Sequence, residues 1–262
     1  MSEVIVDGVA LIGRHIKHIR RVPQKLLSVT VMPVTMVLAF GYILGSAMDV
    51  PGVEYREYFM AGVFAQVMVA GMTTTGVGVC EDLNNGLVDR FRSLPMSRSA
   101  VLIGRTVSDL LLSAIACVVM SVVGFAIGWR IHGGFWSALA GFGLVLLLGF
   151  VAIWGGALLG LVLRNAEAVG SLGFVIVMPF MFLSSAFIPL DGLPGWLRAV
   201  AQWNPLTAVT DQCRRLWGNS TTAHGDGFAA AHPGLVSLVA LAVLFVVIVP
   251  ATVRSFGKAT AR

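Results

Sequence analysis

Long apolar runs alternate with short polar breaks along this chain. The runs reach roughly 20 residues, the length an α-helix needs to cross the hydrocarbon core of a bilayer. They fall at 27–47, 58–80, 107–129, 135–163, 169–189 and 234–253. The pattern predicts an all-α integral membrane protein with six transmembrane helices. Pro33 lies inside the first run, which a membrane helix tolerates. The whole of 1–262 reads as a single transmembrane domain.

The polar breaks carry their own periodicity. Over residues 9–22, Val9, Ile12, Ile16 and Ile19 recur at helical spacing, while Arg14, Lys17, His18 and Arg21 fall on the other side. That is a basic amphipathic helix suited to the headgroup region, stopped by Pro23. Residues 81–95 place Leu83, Leu87, Phe91 and Leu94 on one stripe. Glu81, Asp82 and Asp89 precede or flank Arg90 and Arg92, an order that suits a helix dipole, and Pro95 ends the pattern. A plain charged loop is the alternative reading of this stretch.

The long break at 190–233 is not uniform. Pro194, Gly195, Trp196 and Leu197 read as a helix start, Asn204-Pro205 as a turn, and 206–217 as a second short helix. Trp196, Trp203 and Trp217 suit a membrane interface. Residues 190–217 therefore read as two short helices that lie on or re-enter the outer leaflet, or as a small cap. Residues 218–233 read as a flexible loop.

Composition agrees with the membrane reading. Hydrophobic residues make up 57% of the 262 residues and charged ones 12%, against about 25% charged in soluble domains. Mean hydropathy is +0.87. The net charge of +5 is an orientation signal rather than a nucleic-acid footprint. With both termini inside, Arg56, Arg130, Arg198, Arg214 and Arg215 are the outside cations, and the rest of the 18 Lys and Arg lie in cytoplasmic segments. The polar, basic first 26 residues and the long run behind them predict a retained first span, not a cleaved leader.

Candidate chemistry is sparse. Cys80, Cys117 and Cys213 show no pairing or CxxC spacing, and the five histidines form no HExxH. No metal site, GxSxG or intramembrane acid chain is present, which disfavours an embedded enzyme and a proton-driven carrier. Asp109 lies close enough to the cytoplasmic end of its span to stay charged. The one Gly-Lys pair, Gly257-Lys258, lacks the rest of a phosphate-binding loop, so this chain is not expected to hydrolyse ATP. Gln66, Thr73, Thr74, Ser184 and Ser185 are the candidate polar groups of a pathway. Gly156 and Gly160 form a GxxxG pair that permits close helix packing.

Two stretches together carry a family resemblance. EDLNNGLVDRFRSLPMSRSAVLIGRTVSDLL, after the second run, resembles the coupling segment of ABC-2 type transporter permeases. SSAFIPLDGLPGWLRAVAQWNPLTAVTDQCRRLW, after the fifth, resembles the signature before their last span. The run DRFRSLPMSR is similar to the daunorubicin/doxorubicin-resistance exporter type. The resemblance implies a permease subunit of a bacterial plasma-membrane exporter, with N and C termini cytoplasmic. It implies two cytosolic ATPase subunits, which carry ATP and Mg²⁺, and a second permease copy or related permease beside this chain. No cofactor in this chain and no nucleic-acid partner are implied; membrane lipid surrounds it.

By the same resemblance Glu81, Gly86, Arg90 and Arg92 fall in the coupling helix, with Leu94 and Pro95 at its end and Asp82 and Asp89 as its further acids. Pro189, Pro194, Gly195, Trp196, Asn204 and Pro205 fall in the external re-entrant region. Asn84 and Asn85 stand where many members carry charges. The sparse hydroxyls and single glutamine favour an amphipathic drug or lipid-like cargo. A lipid-linked saccharide exporter and a non-transporting anchor are the alternatives.

Overall fold

The computed structural model of the protein describes residues 33–44, 52–85, 98–220 and 227–259, together with Val31 and Val50. The described residues are helical with short connections. Helix α1 covers Pro33–Ile43, with a π-wound end at Phe40–Leu44. The long helices are α2 (Tyr55–Asn84), α3 (Arg98–Ala126) and α4 (Phe135–Leu163). Then come α5 (Ala166–Phe182), α6 (Gly195–Gln202), α7 (Pro205–Trp217), the single turn α8 (Phe228–Ala231) and α9 (Pro233–Ala259).

Four of these, α2, α3, α4 and α9, are long and apolar enough to cross a membrane, while α1 and α5 are shorter apolar helices. The apolar run at 169–189 is therefore not one continuous helix: its helical part ends at Phe182, and residues 183–189 turn. The reason begins at Pro179, which has no backbone N–H to offer the preceding turn. The basic helix expected over 9–22 lies outside the described residues, as do Gly86, Asp89, Arg90, Arg92, Leu94 and Pro95.

Helices α2 and α4 are the centre. In their apolar windows 56% and 61% of residues are buried, against 22% for both α3 and α9. Helix α4 lies along α2, with α9 and α7 on its other sides and α5 against α2. The sequence of α4 has no charged residue, as expected of an apolar helix long enough to cross a membrane. Its contact with α2 is made by absent side chains. A Cβ on Gly76 would stand 2.8 Å from the Gly156 carbonyl oxygen. A Cβ on Gly156 would run into the Met72 carbonyl, and one on Gly160 into that of Gly76. The GxxxG pair of α4 thus meets a small-residue face on α2, and the backbones approach closely.

The turn from α4 into α5 takes two residues. Arg164 adopts a left-handed conformation (φ 52°), and its N–H bonds the Gly160 carbonyl. Asn165 then caps α5: its Oδ1 accepts from the N–H groups of Glu167 (2.9 Å) and Ala168 (3.1 Å). Glu167 adds a negative charge to the first turn, matching the helix dipole.

The two short helices α6 and α7 differ sharply. On α6, Trp196, Val200 and Trp203 are exposed. On α7, Leu206, Val209, Cys213 and Trp217 enter the main core with Phe64, Met68, Leu144 and Leu148. Trp217 departs from the interfacial position expected for it: it is fully buried among Phe64, Trp129 and Phe142. Gly141 makes the space, since a Cβ there would strike the indole. The indole Nε1 donates to the Ala138 carbonyl at 3.4 Å.

The α2–α4 contact yields a paired test. Gly156→Val is expected to abolish a monodisperse, heat-resistant peak in detergent size-exclusion. Gly143→Ala, on the same helix with nothing within 4 Å of its added carbon, is expected to be neutral or to stabilise by up to about 1 kcal/mol. A Gly156→Val protein as heat-resistant as the parent rules out the close contact.

Candidate functional site

The turn after α5 frees backbone carbonyls inside an apolar setting, where each needs a donor. Side chains from distant parts of the chain supply them. Asn204 caps α7 by accepting from Leu206 N–H at 2.9 Å. Its Nδ2 also donates to the carbonyls of Phe180 (2.7 Å) and Leu183 (2.6 Å). What reads in sequence as an Asn-Pro turn is therefore a helix cap, with Pro205 in the first turn, that also closes the end of α5. The Tyr58 hydroxyl donates to the Ser185 carbonyl at 2.8 Å, and that of Tyr55 to Phe187 at 3.2 Å.

Arg214 completes this node. It is 3% exposed, and its guanidinium reaches three elements. Nε donates to the Tyr58 carbonyl at 3.0 Å. One terminal nitrogen donates to Asp211 Oδ1 at 2.7 Å and Ser185 Oγ at 3.2 Å. The other donates to the carbonyls of Ser185 (2.8 Å) and Ala186 (3.0 Å). The cation also lies 3.6 Å above the centre of the Tyr58 ring. All three nitrogens are engaged, which is the condition for keeping an arginine buried. Ser185 Oγ donates onward to Asp211 at 2.7 Å. Next to this node, burial pushes the Cys213 thiol up, so it stays protonated and unreactive.

Sequence reading counted Arg214 only as an external positive charge. The missed signal is the polar stripe Thr207, Thr210, Asp211 and Arg214, spaced like one face of a helix beside the apolar stripe. Ser184 and Ser185 fall in this node: both are buried, and Ser184 Oγ donates to the Met181 carbonyl. Pro189 and Pro194 are the N-terminal caps of the 3₁₀ turn at Leu190–Gly192 and of α6, which starts at Gly195.

A second polar node sits at the opposite end of α2. Glu81 and Asp82, expected to open a separate coupling helix, belong to the last turn of α2. Asp82 is ion-paired with Arg105 of α3. Arg105 also donates to the Gly78 carbonyl at 3.3 Å and, through Nε, to Asp109 Oδ2 at 3.4 Å. Thr75 Oγ donates to the same Asp109 oxygen at 2.8 Å. Below the node, Val79, Leu102, Trp154, Ala157, Leu161 and Phe256 form a separate apolar cluster from α2, α3, α4 and α9.

Between the two nodes, Gln66, Ala70, Thr74 and Glu81 lie on one side of α2 that is half-buried to exposed. Gln66 Oε1 is buried without a hydrogen-bond partner. Thr73 is half-buried and faces Gly173 of α5, where an added Cβ would come within 2.5 Å of its hydroxyl. Among the described residues, no group of His, Cys, Asp and Glu has the arrangement of a metal site.

Comparison with known proteins places these features in a context. Residues 8–216 match the family described as ABC-2 type transporter. Over 240 residues the sequence is 30% identical to the daunorubicin resistance ABC transporter permease protein DrrB1 of Streptomyces coeruleorubidus, covering 91% of this chain and 82% of that protein. It is 23% identical to a Mycobacterium tuberculosis protein named "Probable doxorubicin resistance ABC transporter permease protein DrrC", covering 81% of this chain and 73% of that one.

Removing the Arg214 cation takes a charged donor from the carbonyls of Tyr58, Ser185 and Ala186, of which Ser185 keeps the Tyr58 hydroxyl. Arg214→Gln is expected to cost about 3 kcal/mol or more, seen as a large drop in thermal midpoint in detergent. Exposed Trp203→Ala on α6 serves as the control and is expected to leave the midpoint nearly unchanged. Equal midpoints for Arg214→Gln and the parent would discount the node.

Proposed function

This chain belongs to the ABC-2 type transporter family, a multi-pass membrane permease of the ABC class, and from that premise we propose how it works. It is the transmembrane subunit of an exporter driven by a separate cytosolic ATPase. Two permease subunits, this chain paired with a second copy or a related one, enclose the pathway. ATP and Mg²⁺ act in the ATPase, whose closure presses on the stretch joining α2 to α3. The ends of α2 and α3 at Asn85 and Arg98 face the cytoplasm, and α6 and α7 lie at the outer face. The positive-inside bias supports this orientation.

The observation that carries the reading is the family match, which spans most of a chain whose described helices include four of membrane-crossing length. A ligand-driven device needs different affinities in two states, and ATP bound by a partner supplies them. The cargo in this reading is an amphipathic drug or a lipid-like molecule. Two features support it. The relatives carry drug-resistance names, and one side of α2 carries an exposed hydroxyl, Thr74, and a half-buried amide, Gln66, among apolar neighbours.

Purification in mild detergent from native membranes is expected to recover a P-loop ATPase at about one copy per copy of this chain. Vesicles holding that complex are expected to move daunorubicin in an ATP-dependent way. Arg90→Ala is expected to keep the complex but reduce export at least about fivefold, the span of typical coupling energies. Absence of any ATPase, even after gentle crosslinking, would replace this reading with that of a membrane anchor.

A further inference from the structure

The node at the cytoplasmic end of α2 is built against the helix dipole. Glu81 and Asp82 place negative charge at a helix C-terminus, where partial negative charge already accumulates. No basic residue lies in that last turn. The compensating cation comes from another helix: Arg105 of α3. Gly78 forms the notch for it, since any Cβ there would collide with the guanidinium. Gly78 and Asp82 lie one turn apart on α2, so Arg105 holds a carbonyl and a carboxylate of the same face.

Arg105 also has a second carboxylate in reach. Asp109 lies one turn along its own helix, with its Oδ2 3.4 Å from Nε. Thr75 holds that same oxygen at 2.8 Å. One guanidinium thus stands between two carboxylates on different helices. Breaking a buried pair is costly mainly because a charge is left unpaired. Here release of Asp82 leaves the cation on Asp109, so that penalty is avoided. Asp82 itself is 38% exposed in its side chain and returns to water easily. The arrangement has the form of a contact with two settings.

We propose that Arg105 is a positioning residue of the transport cycle, tying the last turn of α2 to α3 through Asp82 in one state and resting on Asp109 in the other. The proposal rests on the permease reading above. The stretch between Asn85 and Arg98 joins the two helices, so a push on it arrives on both sides of this contact. With Asp82 held, the ends of α2 and α3 move together. With Asp82 released, α2 pivots against α3 on the contacts that remain, Arg105 with the Gly78 carbonyl and Thr75 with Asp109. Arg105 thereby sets which helix displacement each nucleotide state produces, without touching cargo or nucleotide.

The test uses the full chain with its co-purified ATPase in lipid nanodiscs. Spin labels go on Ala70→Cys of α2 and Ile115→Cys of α3, both exposed positions. The native Cys80, Cys117 and Cys213 are buried and remain unlabelled. Trapping with ATP and vanadate is expected to shift the α2–α3 label distance. Asp82→Asn is expected to remove the shift while ATP hydrolysis stays within about threefold, a coupling loss of at least about fivefold. Asp82→Glu, which keeps the charge, is expected to restore it, a rescue that a packing role would not give. Asp109→Asn, which removes the second setting, is expected to block the shift as well.

A shift that survives in both asparagine variants overturns the proposal, as does a parent complex with no shift at all. Should neither variant be recoverable as folded protein, the contact is structural and the proposal falls. In each of these cases the permease reading stands. Failure of any ATPase to co-purify with the parent instead removes that reading, and this inference with it.

Discussion

The fold depends on donors reaching the carbonyls set free where α5 ends. Inside an apolar environment a backbone that leaves the helical path must find partners or revert. Five carbonyls from Phe180 to Phe187 are met by side chains of Asn204, Tyr58, Arg214 and Tyr55. These donors come from α2 and from the cap and last turn of α7, so the break in one apolar run requires two other elements to be in place. Arg214 is the strongest of the four because a charged donor in a low-dielectric setting makes the strongest bonds. Helices α6 and α7 differ for the same reason. α7 supplies donors to the interior and is buried, whereas α6 rides on it with its tryptophans out.

The two polar nodes stand at opposite ends of α2, and the glycine contact with α4, at Met72 and Gly76, adjoins the node that holds Asp82. The two anchored ends have different chemistries. At the Tyr58 end a single cation is held by one carboxylate, Asp211, and by three backbone carbonyls that fix its position. At the Asp82 end a cation has two carboxylates, one of them partly in water. The proposed transporter function calls for such a difference: an outer frame that holds shape and an inner end that responds.

Much of this was legible in the sequence because length and apolarity suffice to mark a helix that crosses a bilayer. The stretch 135–163 reads that way without ambiguity, having no charge and a glycine pair at its end. What was not legible depends on pairings far apart in the chain. Pro179 is visible, but not that Tyr58, 127 positions from Ser185, waits to bond the carbonyl beyond it. Trp217 resembles Trp196 and Trp203 in sequence; its burial is decided by the missing side chain of Gly141. Arg105 and Arg214 entered a charge count that fixes orientation and has no view of partners. The acids at 81–82 read in sequence as the start of a new helix because periodicity alone cannot tell one helix's end from the next one's beginning.

The two-residue link at Arg164-Asn165 has a mechanical consequence. A left-handed residue followed at once by a helix cap leaves no slack, so α5 behaves as a stiff rod hinged at its base. At a rise of about 1.5 Å per residue the 17 residues of α5 make a lever roughly 25 Å long. A tilt of about 10° at that base therefore swings Phe182 by about 4 Å. That distance exceeds the reach of a hydrogen bond, so any such swing must either carry Asn204, Tyr58 and Arg214 along with it or tear them loose. Small rotations at the Asn165 end of α5 are thereby amplified into all-or-none rearrangements at its Phe182 end.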